Sequence, residues 1–159
     1  MQLPPTKNLK DLLEGMLGRD VDLDPSAKPL DSIDTVGSLI ATYRDDDFGL
    51  RALLGWSLPA GAHVGTSIGL LPAPLAKDMV ADRALRADVV DNLAEVSNVM
   101  AALFDLPGNP HVRMVERFHP AATAPAELAA VLYRHADRID LDVSVKGYGA
   151  GKLALVSCG

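Results

Sequence analysis

Asp91, Glu95 and Asn98 follow one another at intervals of four and three residues, inside a stretch from Ala84 to Phe104 whose remaining positions alternate with helical period. At about 100° per residue, Leu85, Val89, Leu93, Val96, Met100 and Leu103 gather on one side of the expected helix. Asp91, Glu95, Asn98 and Ala102 gather on the other. A carboxylate accepts hydrogen bonds, and a carboxamide both accepts and donates. The strip therefore presents a rigid carboxylate–amide pair outward, with the small Ala102 one turn on leaving the amide unobstructed. Such a pair suits a docked macromolecule better than an enclosed metabolite. Taken alone it also matches an ordinary solvated helix face.

The elements around the strip can be read in order. Asn8 to Leu17 is expected as a short amphipathic helix capped by Gly18, and Arg19 to Asp34 as a loop or a loosely paired segment. Three extended runs follow, at Val36–Arg44, Leu50–Leu58 and Ala62–Leu71, separated by Asp45–Gly49 and Pro59–Gly61. Pro72 and Pro74 open a helical region that continues to Phe104, with a break between Ala81 and Ala84. His111–Phe118 reads as a strand, Thr123–His135 as a helix, and Ile139–Lys146 and Lys152–Ser157 as a hairpin turning at Gly147–Gly151. No strand leads through those glycines into a helix, so they are a turn and not a phosphate loop. The chain thus divides into two degenerate halves, each running helix, strand, intervening piece and hairpin. The expected fold is α+β: a largely antiparallel six-stranded sheet with two main helices on one face.

Composition narrows the function. The 159 residues suffice for a single domain, 1–159, with 48% apolar content and only one Trp, three Tyr and three Phe. A net charge of -6, with dispersed basic residues, argues against nucleic acid. Cys158 is the only cysteine, so no intrachain disulfide or Cys-based metal site is available. His63, His111, His119 and His135 include no i, i+4 pair, and no bound metal is expected. With neither a secretory leader nor an apolar run of about 20 residues, a cytoplasmic protein without membrane contact is expected.

The order of elements, together with Asp91, Glu95, Asn98 and the later Pro120, resembles the CheC, CheX and FliY phosphatases, in which Asp or Ser, then Glu, then Asn at this spacing precede a proline. The resemblance spans nearly the whole chain. The interval from Asn98 to Pro120 is one residue shorter than the usual form, and the first helix offers Glu14 but Leu17 where a second Asn would fall. Only the second half carries the motif, as in CheX. The resemblance implies hydrolysis of the aspartyl phosphate of a CheY-like response regulator. Asn98 and Glu95 would be the catalytic pair, with Asp91, Ala102 and Pro120 supporting binding. No cofactor of its own is implied, because the regulator brings its Mg²⁺. It also implies a homodimer by edge-strand pairing, for which the uncharged run Gly61–Leu71 is the expected strand. The alternatives are a noncatalytic binding module on the same fold, and an unrelated ligand-binding or structural α+β domain.

Overall fold

In a computed structural model that describes all 159 residues, apolar alternation and short turns produce six strands: β1 (Val21–Pro25), β2 (Ile40–Arg44), β3 (Leu50–Trp56), β4 (Arg113–Phe118), β5 (Arg138–Val145) and β6 (Gly149–Ser157). They form one sheet in the order β1-β5-β6-β3-β2-β4. Every neighbouring pair is antiparallel. The two halves are visible in that order, but they exchange their first strands. β1 pairs with the second half's hairpin, and β4 with the first half's.

Five helices accompany the sheet: α1 (Thr6–Leu17), α2 (Leu58–Ile68), α3 (Ala73–Asp82), α4 (Ala87–Val99) and α5 (Ala126–Arg134). Adjacent strand residues point to opposite faces, which separates two cores. Ala41, Leu54, Trp56 and Leu155 join Leu13 of α1, Val64 of α2 and Leu93 of α4 in the larger one. Ile40, Leu53 and Val156 pack with Leu132 of α5 in the smaller one. The main helices thus share one face, and α5 covers the other. No helix is long and apolar enough to cross a membrane.

The run Ala62–Leu71, expected as a strand, is instead most of helix α2. Ser57 caps it, its side chain accepting a hydrogen bond from the Ala60 N–H at 3.1 Å, and Pro59 stands in the first turn. Because nine of its residues are buried, α2 is apolar or small on every side and shows no one-sided period. The missing strand is β1, where Val21 faces the core and Asp22 and Asp24 lie outward. Its short length and acidic composition hid it. The helix assignment also removes Gly61–Leu71 as a dimer-forming edge, since the sheet's edges are β1 and β4.

Gly61 and Gly65 serve the approach of α2 to α4. A Cβ on Gly65 would lie 2.7 Å from Val89 Cγ1 and 2.8 Å from the Val89 carbonyl oxygen, and one on Gly61 would lie 3.0 Å from Leu93 Cδ2. Gly15, on the exposed side of α1, would meet nothing within 4 Å. Alanine therefore has opposite effects at the two helical sites. In urea titrations Gly15→Ala is expected to stabilise by about 0.5–1 kcal/mol through helix propensity, and Gly65→Ala to destabilise by about 1–3 kcal/mol through overpacking. Equal effects at both sites would contradict this packing.

His63 on α2 is buried, its Nδ1 finds no partner, and burial followed by the Lys77 charge holds its pKa below the ordinary histidine value. The unfolded chain takes up this proton near pH 6.5, whereas the folded chain resists it. The sign follows: stability present above that range is lost as pH falls through it toward the depressed folded value. Between about pH 7.5 and about pH 5.5, wild type should lose more unfolding free energy than His63→Gln. Identical losses would rule out this linkage.

Candidate functional site

α4 carries the strip, and the sheet fixes its position through one residue. Ser97 is fully buried on the helix side opposite Glu95. Its hydroxyl donates to the Leu93 carbonyl at 2.8 Å and accepts from Trp56 Nε1 of β3 at 2.9 Å. Its carbonyl accepts from the Tyr43 hydroxyl of β2 at 2.6 Å. Beyond Val99 the helix tightens into a 3₁₀ turn, Met100–Phe104, and carbonyls in such a final turn need outside donors. Burial raises the Tyr43 pKa far above the ordinary phenol value, so the hydroxyl remains a donor. Phe104 packs against the Tyr43 ring, centroids 5.2 Å apart. Midway along α4, Asn92 Nδ2 donates to the Gly65 carbonyl at 3.1 Å.

On this fixed backbone Asp91, Glu95, Asn98 and Ala102 are all exposed, the last within the 3₁₀ turn. Asp91 accepts a hydrogen bond from Arg117 Nη2 of β4 at 3.2 Å, an ion pair between exposed side chains. Glu95 and Asn98 are exposed and take part in none of the side-chain hydrogen bonds or ion pairs that hold α4. The carboxylate and the carboxamide are therefore available to an incoming group, whereas Asp91 is already tied to the sheet edge.

Pro120 lies elsewhere. It precedes the short turn Ala121–Thr123 and lines a cavity of about 430 Å³ with Thr35, Val36, Arg83, Ala121 and Tyr133. None of Asp91, Glu95, Asn98 or Ala102 lines that cavity. The first half offers no equivalent strip. Glu14 of α1 accepts a hydrogen bond from the Val21 N–H at 3.1 Å, anchoring β1, and Leu17 is buried. No group of three or more His, Cys, Asp or Glu side chains converges as a metal site would require. The glycine-rich segment forms the β5–β6 turn, with Gly147 at φ 83°, and the strand resumes at Gly149.

Sequence reasoning did not find Ser97, Tyr43, Trp56 and Arg117 as supports of the site. One signal was present: Ser97 falls on the apolar side of the wheel, where a lone hydroxyl demands a partner. Nothing local indicated that Tyr43 and Trp56 would provide its contacts.

These elements define a class of protein: an α+β domain of two helix–strand–X–hairpin halves, closed by exchanged edge strands, with an exposed Glu–Asn pair on the second half's helix. No family model and no curated protein matches the chain. Solved structures do. FliY of Thermotoga maritima superposes with a TM-score of 0.55 at 12% identity, covering 99% of this chain and 93% of that one. A chain of the CheX–CheY–BeF3–Mg²⁺ complex from Borrelia burgdorferi gives 0.52 at 10% identity, over 94% of this chain and 92% of that one. A chain of the FliG–FliM complex from H. pylori gives 0.54 at 8% identity, over 95% and 87%. The chain has the fold of CheC, CheX and FliY.

Replacing Ser97 by Ala leaves the Trp56 N–H unpaired in a dry interior. Loss of such a partner costs about 1–3 kcal/mol, which urea unfolding followed by Trp56 fluorescence should register. An unchanged unfolding free energy would show that Ser97 is no anchor.

Proposed function

We propose that the protein is a phosphatase for the aspartyl phosphate of a CheY-like response regulator, acting through Asn98 and Glu95. The observation that carries this reading is the free, outward Glu–Asn pair on a helix whose backbone is locked at Ser97. Support comes from a protein of this fold, CheX of Borrelia burgdorferi, solved in complex with CheY, BeF3 and Mg²⁺.

The physical demands on such an enzyme are small. The regulator supplies the phosphoryl group, its Mg²⁺ and a lysine, so the phosphatase needs no cofactor of its own and has only to position water in line with the scissile P–O bond. The Asn98 carbonyl accepts a hydrogen from that water while remaining uncharged beside a dianion, where a carboxylate would be repelled. Glu95, one turn back, pairs with the regulator's lysine and sets the docking angle. Asp91 braces the site through Arg117. Ala102 leaves room for the partner's approach. Water oxygen bonds to phosphorus, the aspartate departs as carboxylate, and inorganic phosphate is released. The setting for this reaction is the cytoplasm.

A second reading is a noncatalytic binding module, favoured by the FliG–FliM complex, in which a chain of this fold occurs in a protein–protein assembly. Decay of aspartyl phosphate on response regulators from the source genome separates the two. Wild type should accelerate it. Asn98→Ala should lose about 10²–10³-fold in rate, the scale for one preorganised polar contact, at unchanged regulator affinity. Asp91→Ala, removing only a brace, should cost about tenfold or less. A folded protein that binds regulators but accelerates none would leave the binding module.

A further inference from the structure

The cavity of about 430 Å³ that Pro120 lines is apart from the α4 strip. It opens where loop 31–38, the turn between α3 and α4, segment 120–124 and α5 come together. Volumes of this order hold small molecules. The walls are short and apolar: Val36, Pro120, Ala121 and Ala129 leave room that longer side chains would fill. Val36 is 48% exposed, so apolar surface there is left without a partner from the chain.

Polar groups on the lining are few, and the hydroxyl pair among them is already engaged. Thr35 is buried and donates its hydroxyl proton to the Ser32 carbonyl at 3.3 Å, so at the 2.6 Å contact between the two hydroxyls Tyr133 is the donor. Burial holds the Tyr133 phenol above its ordinary pKa, which keeps that proton in place. Arg83 is the one charged residue on the lining. Every other arginine except Arg134 reaches a carboxylate or a backbone carbonyl, and Arg83 reaches neither. Asp31 and Asp34, the acids of the adjoining loop, accept hydrogen bonds from that loop's own N–H groups instead.

The backbone fixes Arg83 against its own preference. It ends α3 with φ 52°, in the left-handed region that glycine takes without strain and a side chain opposes. Its carbonyl presses on Gly37, itself at φ 76°, where any Cβ would collide with it. Turn and loop are thus locked together, and the cavity between them is preformed. Glycine would end this helix better, whereas arginine brings a free cation to an apolar cavity. We infer that the cavity binds a small apolar acid, its hydrocarbon body against Val36, Ala121 and Ala129 and its carboxylate paired with Arg83. Charge complementarity selects this ligand class, since the lining holds one unengaged cation and no carboxylate. A guanidinium grips a carboxylate through two parallel hydrogen bonds, and the buried hydrocarbon supplies affinity. Asp91, Glu95 and Asn98 take no part in the lining, so the site stands independently of the aspartyl-phosphate reading.

The probe is decanoate below its micellar concentration, titrated calorimetrically into the full chain, with decanol as its uncharged counterpart and amide chemical shifts to locate the site. Wild type should bind decanoate about tenfold or more tightly than decanol, with shifts at Val36, Gly37, Ala121 and Ala129. Arg83→Gln should lose that preference and bind the two alike. Arg83→Gly should do the same with a thermal midpoint at or above that of wild type, because glycine relieves the left-handed backbone. Such a loss is not one of folding. Ala129→Trp, which fills the cavity, should abolish binding of both probes in a protein whose thermal midpoint shows it folded. Arg134→Gln, which removes the other free arginine from a neighbouring cavity, should bind as wild type. Equal affinity of wild type for decanoate and decanol overturns the assignment of an acid. Absence of binding, or shifts centred away from these residues, overturns the site. A dimer that Ala129→Trp converts to monomer, with no decanoate bound by wild type, assigns the cavity to a second copy and overturns the inference.

Discussion

The polar junction at Ser97 joins the layers on which the site depends. A helix packed only by apolar side chains can slide or rotate on a sheet at modest cost, because dispersion and area burial are not directional. Hydrogen bonds are directional, and an unmade one in a dry interior is costly. With Trp56 on its hydroxyl and Tyr43 on its carbonyl, Ser97 fixes both the rotation and the height of α4. Glu95 and Asn98, on either side of it in sequence, inherit that placement without contacts of their own. The site is thus rigid from below and open from above.

Much of this was legible in the chain. The helical period from Leu85 to Leu103 set the strip's outward face, and exposure of Asp91, Glu95, Asn98 and Ala102 agrees with it. The strict alternation Ile139 to Val145 and the turn at Gly147 were equally readable. The failures have physical causes. α2 is enclosed on all sides, so the one-sided apolar stripe that marks a surface helix is absent, and its β-branched Val64, Thr66 and Ile68 mimic a strand. β1 is a five-residue edge strand whose outward Asp22 and Asp24 resemble a loop. Val36 to Leu39 form turn and loop where a longer strand was expected.

The site was legible as a strip but not as a neighbourhood. Spacing along one helix reports which residues share a face. It says nothing of Arg117 on β4, which the β2–β4 pairing brings within reach of Asp91. Pro120 shows the converse. Its place in a motif gave no hint of its neighbours, which are the cavity residues Thr35 and Tyr133. Likewise Glu14, read as the remnant of a second motif, has a structural task at the start of β1.

The two hairpins meet at the centre of the sheet through the β3–β6 pairing, and this governs how the chain acquires its shape. β3 lies at the centre of the sheet, but its second neighbour, β6, comes roughly a hundred positions later in sequence. During synthesis the β2–β3 hairpin must wait with one apolar edge unpaired until nearly the whole domain has emerged. Such non-local closure makes folding slow relative to a helical bundle of similar length and leaves a sticky intermediate exposed to its neighbours. Assembly is therefore expected to be all-or-none, and neither half would persist as a stable fragment.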